Sequence, residues 1–234
     1  MVKYDADSAS NYQKFRPPIH KKILKHCLQD KRFEIALDVG CGVGNSSIAL
    51  TSFCEKVVGF DTSHHMIQKA ILKNGITYTS EISKLNSKFN LICFFGSLFY
   101  IDQQSITLYL NHLTERGTIV CCDFEILYQS VWEHLGMELK INPLNYNHQK
   151  NLSEYTISNV RSIRSDQFKT TFSCTSNQLV YLILSEKDLV EALSSSINIS
   201  DLYSFLLNKI DHYYSDQKIR LTAECHFSLY EGNP

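Results

Sequence analysis

The chain has 234 residues, 44% hydrophobic and 20% charged, which suits a soluble globular protein with one substantial core. Its 23 Lys and Arg balance 24 Asp and Glu to a formal charge of -1, so no global field draws in nucleic acid or an anionic membrane, and neither is expected as a partner. The eight cysteines show no C-x-x-C spacing, the start Met1-Val2-Lys3-Tyr4-Asp5 lacks the apolar core of a signal peptide, and no stretch is long enough to span a bilayer. Reduced core thiols in a cytoplasmic protein are therefore expected, with Cys121 and Cys122 pointing to opposite faces of a strand.

Tyr12 to Pro18 opens the chain with an aromatic and arginine segment, either a solvated arm or a flap offering a guanidinium to a ligand carboxylate. Pro17 and Pro18 suit the start of a helix from about Ile19 to Leu28, whose apolar face is Ile19, Ile23, Leu24 and Cys27. Phe33 to Val39 is expected as the first strand, Ser46 to Phe53 as a helix and Lys56 to Phe60 as the second strand.

Between strand and helix lies Asp38-Val39-Gly40-Cys41-Gly42-Val43-Gly44-Asn45. Glycines there let backbone approach a ligand closely, and the N–H groups at the following helix start favour polar or anionic atoms. Asp61 follows the second strand, where its oxygens can accept both hydroxyls of a ribose; it can equally cap the helix that begins near Ser63. The G-x-G-x-G spacing differs from the G-x-G-x-x-G of nicotinamide and flavin sites. An acid at Asp38, inside an apolar strand end, needs a cationic or hydrogen-bonding partner, which suits a ligand carrying an ammonium group better than a pyrophosphate.

Leu37 to Gly44 resembles motif I of the class I S-adenosylmethionine-dependent methyltransferases, and Val58-Gly59-Phe60-Asp61-Thr62-Ser63-His64-His65-Met66-Ile67 resembles their next motif. Tyr12 to Pro17 is similar to the Y-x-K-Y/F-R-P segment of the small-molecule branch that holds trans-aconitate methyltransferase-like and type 11 methyltransferases. The resemblance implies S-adenosyl-L-methionine as cofactor, bound by Tyr12, Arg16, Asp38, Gly40, Cys41, Gly42, Asn45, Asp61, Thr62, Met66, Glu81, Ile82 and Phe95. In it Arg16 reaches the cofactor carboxylate, while Glu81 and Ile82, in a segment similar to D-A-E-x-L, meet the adenine. On residue chemistry alone Glu81 is also an ordinary surface glutamate, and Met66 an ordinary helix core position.

Ile76 to Tyr78 is expected as the third strand and Phe89 to Phe95 as a buried fourth. The segment Gly96-Ser97-Leu98-Phe99-Tyr100-Ile101-Asp102 resembles motif IV of that branch, with Phe99 and Tyr100 replacing a His-Trp pair; it lacks the N/D-P-P-Y/F signature of enzymes that methylate amino groups of bases or glutamine, so those substrates are not expected. A helix is expected near Ser105 to Leu113, a fifth strand at Gly117 to Cys122, a helix at Ile126 to Leu139, a strand at Phe168 to Cys174, helices at Leu179 to Leu184 and Leu202 to Ile210, and a closing antiparallel strand at Ile219 to Tyr230. Tyr128, Trp132, Tyr146, Tyr155, Phe168, Phe172 and Tyr181 form either a small core or a binding wall.

These elements describe an α/β, Rossmann-like fold: a seven-stranded sheet with its last strand antiparallel, helices on both faces and a small helical lid insertion after strand 5. With the resemblance, residues 1–234 are expected to form a single methyltransferase domain, with an N-terminal arm and helix at 1–30, the cofactor-binding core at 31–123 and the substrate lid with the C-terminal strands at 124–234. The expected activity is methyl transfer to a small molecule, on a carboxylate or hydroxyl oxygen; the alternative is a nonenzymatic cofactor-binding or partner-binding protein that keeps the fold. A carboxylate acceptor needs no general base, so catalytic residues are hard to read; the candidates are Tyr12, Phe99 and Tyr100, whose aromatic faces can favour a cationic methyl. His64 and His65 are as readily surface residues, the histidines show no metal-ligand spacing, and no metal is expected. The protein is expected to be a monomer or homodimer.

Overall fold

The computed structural model describes residues 15–139, 146–195, 197–215 and 217–233. Tyr12 lies outside them. Strands β1 (Phe33–Val39), β2 (Cys54–Phe60), β3 (Ile76–Thr79), β4 (Phe89–Phe95), β5 (Leu113–Leu127), β6 (Val160–Cys174) and β7 (Ile219–Gly232) form one sheet in the order β3-β2-β1-β4-β5-β7-β6. β1 pairs in parallel with β2 and β4, β2 with β3, and β4 with β5; the last strands run antiparallel.

This order has a mechanical consequence. The chain runs outward from β1 to β3, then returns to the other side of β1 to lay down β4 and β5. Strand order therefore reverses between β1 and β4, and the loops leaving their carboxyl ends diverge to opposite faces, opening the crevice in which sheets of this class bind ligands. The motif I glycines follow β1, and Gly96-Ser97 follow β4. Both strands are almost continuously apolar because they are covered on both faces: Leu37, Val39, Leu91, Ile92, Cys93 and Phe94 are all buried.

The chain forms two compact units, one of Pro18–Glu125, Asn147–Phe168 and Cys225–Pro234, the other of Met1–Pro17, Ile126–Tyr146 and Lys169–Glu224. The first holds helices α1 (Ile19–Leu28), α2 (Asn45–Leu50), α3 (His64–Gln68) and α4 (Gln103–Leu110) with the parallel strands. The expected face of α1, Ile19, Ile23, Leu24 and Cys27, is buried. α3 starts on Ser63, whose side chain accepts from the Met66 N–H, and α4 on Asp102, which accepts from Ser105. The second unit holds α5 (Gln129–His134), α6 (Ser176–Ser185), α7 (Lys187–Ser194) and α8 (Leu202–Tyr214), with α6 packed against α7 and α8. In this unit Tyr128, Trp132 and Phe172 are buried, as core aromatics are. Tyr155 belongs to the first unit, where its hydroxyl donates to the carbonyls of Leu98 and Ile101.

Several boundaries differ from the sequence reading, each for a local reason. The helix expected at Ile126 to Leu139 is short, because β5 continues to Leu127 and Gly136, at φ +60°, ends α5. α2 stops at Leu50, where the Thr51 hydroxyl donates to the Ile48 carbonyl and tight turns lead into β2. α4 ends at Leu110, so Leu113 already belongs to β5. β6 begins at Val160 rather than Phe168; its first half is polar, as suits the last strand of a sheet. The sequence reading missed α7 altogether.

All eight cysteines are buried, and none forms a disulfide among the described residues. No helix among the described residues is long and apolar enough to cross a membrane.

Candidate functional site

The glycine turn is held by Ser97 against Gly40, Tyr78 against Gly44 and the Asp61 carboxylate on the Gly42 N–H. Gly40, Gly42 and Gly44 all have positive φ, a conformation that side-chain-bearing residues rarely adopt. A Cβ on Gly40 would lie 2.3 Å from the Ser97 Cβ, and one on Gly44 2.1 Å from the Tyr78 hydroxyl. These two glycines are thus required by protein neighbours. Gly42 differs: a Cβ there would meet nothing within 4 Å. Its open face is the part of the turn that a ligand can approach.

Two acids flank the turn. Asp38 is fully buried, and its Oδ2 accepts from the hydroxyls of Ser46 at 2.7 Å and Ser47 at 2.6 Å. Its Oδ1 is buried without a hydrogen-bond partner. Burial pushes the Asp38 carboxyl up to about 6 against the pull of the Ser47 and Ser46 hydroxyls, with the charge of Asp61 adding to the rise. A buried, half-satisfied carboxylate is costly when ionised, and a cation would relieve it. Asp61, at the end of β2, accepts from the Gly42 N–H through Oδ2 at 2.9 Å and from the Ser63 N–H through Oδ1 at 2.8 Å. Each carboxylate oxygen has two acceptor sites, so these bonds leave room for further donors.

Around this centre, the Ser97 hydroxyl donates to the Val39 carbonyl and ties the end of β4 to the end of β1. Tyr78, from β3, lies beneath Gly44 and Gly59 and donates to the Ile71 carbonyl at 3.1 Å; burial pushes its phenol up to about 12. Cys41 is buried, and burial pushes its thiol well up. Asn45, the first residue of α2, has a buried Nδ2 without a hydrogen-bond partner. The Phe95 ring meets the His20 ring edge-on at 5.2 Å.

The other candidates are more dispersed. Met66 is buried in α3, and Thr62 is exposed. Glu81 is exposed and paired with Lys84 at 2.7 Å, which holds its carboxyl below the usual range; Ile82 is exposed beside it. Arg16 belongs to the second unit, where its Nη1 lies 3.8 Å from Glu186 Oε1. Tyr100 is exposed and meets Phe99 edge-on, while the ammonium of Lys150 lies 5.6 Å from the Phe99 ring centre. His64 pairs with the Ser80 hydroxyl at 2.8 Å. Among the described residues no three His, Cys, Asp or Glu side chains gather as metal ligands would.

Sequence reasoning missed Ser46, Ser47, Ser97 and Tyr78. The serine doublet in the first turn of α2 was the one available signal, since a helix leaving a glycine turn brings its first residues back over the preceding strand.

A sheet whose order reverses beside a G-x-G-x-G turn, with a buried acid before the turn and a second acid on it, defines a nucleoside-binding class of α/β protein. A family model described as a methyltransferase domain matches residues 12–162, and the chain belongs to that family. A Dictyostelium discoideum protein with a methyltransferase name is 28% identical over 74 residues, 30% of this chain and 27% of that protein, so the match spans about a quarter of that relative. A solved structure from Anaeromyxobacter dehalogenans, described as a type II methyltransferase, aligns with a TM-score of 0.64 at 15% identity, covering 92% of this chain and 97% of that one. The cyclase SpnF aligns with a TM-score of 0.52 at 13% identity, covering 93% and 81%. At these identities the structural likeness establishes the fold, and a cyclase among the neighbours illustrates why chemistry must be argued from the site.

Proposed function

We propose that the chain is a cytoplasmic S-adenosylmethionine-dependent methyltransferase, monomeric or homodimeric, that methylates a carboxylate or hydroxyl oxygen of a small molecule. The observation that carries this reading is the pairing of Asp38 and Asp61 on either side of the open Gly42 face, in a chain of the methyltransferase-domain family. The buried Oδ1 of Asp38 suits the ammonium of the cofactor's amino acid end. Asp61, already on the Gly42 N–H, keeps acceptor capacity for ribose hydroxyls. Gly40, Cys41, Gly42 and Asn45 form the backbone bed, Thr62 and Met66 flank the nucleoside, Glu81 and Ile82 serve the adenine, Phe95 lines the strand end, and Tyr12 and Arg16 cover the carboxylate. In this reading residues 31–123 bind the cofactor and 124–234 shape the acceptor site.

S-adenosylmethionine, when bound, supplies an electrophilic methyl group on a sulfonium. The protein's own contribution is largely to fix the acceptor oxygen at contact distance and in line, which removes much of the entropic barrier. Phe99, Tyr100 and Tyr12 are the candidates to set an aromatic face against a cationic methyl.

Isothermal calorimetry with S-adenosylmethionine, followed by assay of S-adenosylhomocysteine release with a metabolite panel, tests the proposal. Binding that weakens in Asp61→Ala, together with release, supports it. Absence of binding, or binding without release, contradicts an enzyme of this class.

A further inference from the structure

An open pocket of about 290 Å³ is lined by β5, β7 and β6, which are neighbours in the sheet, and by the loop at 148–151. It shares no lining residue with the glycine turn, and all of its wall belongs to the unit that carries that turn.

Lys150 stands on this wall against a fixed platform. The Tyr155 hydroxyl donates to the carbonyls of Leu98 at 2.9 Å and Ile101 at 2.8 Å, which ties its ring to the segment after β4. The Lys150 ammonium lies 5.2 Å from the centre of that ring and 5.6 Å from the centre of the Phe99 ring, within cation–π range of both. The residue after it is held as well: Asn151 Oδ1 accepts from the Tyr230 hydroxyl at 3.1 Å, and the Leu152 N–H donates to the same hydroxyl at 3.2 Å. The cation is therefore in place before any ligand arrives, so little of a ligand's binding energy goes into ordering it.

The acids near this wall are already held. Asp166 pairs with His26 at 3.1 Å and accepts from the Gln167 N–H, and Asp123 pairs with His148 at 2.9 Å. The other titratable groups on the wall are His148 and His226. Among the described residues the Lys150 ammonium has no carboxylate partner and no hydrogen-bond acceptor, only the two ring faces. Ring faces attract a cation without neutralising it, and its three N–H donors remain to be used. The side-chain amides of Gln149 and Gln167, on the same wall, add further donors. We infer that this pocket binds a small anionic molecule, a carboxylate or a phosphate ester, whose charge Lys150 takes. Both groups present oxygens to a compact cation, which is how a lysine recognises them. The inference goes beyond the methyltransferase reading and does not rest on it.

Titration of the full chain with butyrate, butyl phosphate, butyramide and butanol at constant ionic strength, followed by backbone and lysine side-chain NMR, tests it. At least one of the two anions should give saturable shifts at Lys150, Gln149 and Gln167, and the uncharged compounds should bind at least about tenfold more weakly, as the loss of a charge-assisted hydrogen bond implies. Saturation by butyrate alone or by butyl phosphate alone names the anion class. Lys150→Met keeps an apolar chain on the two rings and should lower anion affinity at least about tenfold, whereas Lys150→Arg keeps the charge and should stay within about threefold of wild type. The wild-type panel decides the matter by itself if Lys150→Met alters the fold. No saturable shift with either anion, uncharged compounds bound as tightly, shifts that map outside the pocket, or unchanged affinity in a folded Lys150→Met overturns the inference. Cofactor binding takes no part in the readout, so failure of this site leaves the methyltransferase reading standing, and failure of that reading leaves this site standing.

Discussion

The Gly42 N–H donates to the Asp61 carboxylate at 2.9 Å, so the acid at the end of β2 holds the one glycine of the turn whose missing side chain faces open space. A single carboxylate thus shapes the ligand bed from the side while keeping lone pairs for the ligand itself. Asp61→Ala should weaken S-adenosylmethionine binding by about 10- to 100-fold, the range set by losing charge-assisted hydrogen bonds of about 1.5–3 kcal/mol. Calorimetry checks it; an unchanged affinity would reduce Asp61 to a brace for the turn and for Ser63.

The glycines should separate by substitution. Gly40→Ala drives a Cβ to 2.3 Å from Ser97 at positive φ, and should lower stability by more than about 2 kcal/mol. Gly42→Ala meets nothing and should cost only the left-handed backbone term, about 1–2 kcal/mol, yet should abolish cofactor binding. Thermal denaturation paired with calorimetry distinguishes the two; retained binding in Gly42→Ala would place the ligand elsewhere.

Asp38 links the site to pH. Its carboxyl is raised from 3.8 to about 6 by burial, so between those values the folded protein holds a proton that the unfolded chain has released. Stability should therefore fall as pH rises from about 4 to about 6, by at most about 3 kcal/mol, and level off above. Asp38→Asn removes the titration: its amide oxygen can still accept from Ser46 and Ser47, so at pH 7 it should be at least as stable as wild type. Cofactor binding should show the opposite preference. An ammonium favours ionised Asp38, so wild-type affinity should rise as pH passes 6, while Asp38→Asn should bind weakly at every pH. Melting curves and calorimetry from pH 4 to 8 report both.

On the proposed role of Arg16 toward the cofactor carboxylate, Arg16→Ala should weaken cofactor binding about tenfold. An unchanged calorimetric affinity would remove Arg16 from the cofactor site and leave it a role within its own unit, where it pairs with Glu186.

The parts of the fold that could be read in advance were those encoded by short local patterns. β1 and β4 were bounded by apolar runs with turn residues after them, and the ordered acids and glycines located the crevice. What escaped was set by contacts between distant segments. Nothing local shows that Tyr78 fills the space under Gly44, or that Ser97 bonds back to Val39 across 58 residues. Asp123, within β5, and His148, in a loop, stand 25 residues apart, so only the folded chain pairs them. The Gly136 stop of α5 was visible in the sequence, and reading an apolar pattern through it made that helix too long.

The account rests on the turn between Asp38 and Asp61 being a cofactor site. Titration of the wild-type protein with S-adenosylmethionine at pH 7, beside Asp61→Ala and Gly42→Ala, addresses it most directly. The account predicts one saturable site in the wild type, weakened at least tenfold in the first variant and abolished in the second. No heat of binding in the wild type, or equal affinity in all three proteins, would contradict it.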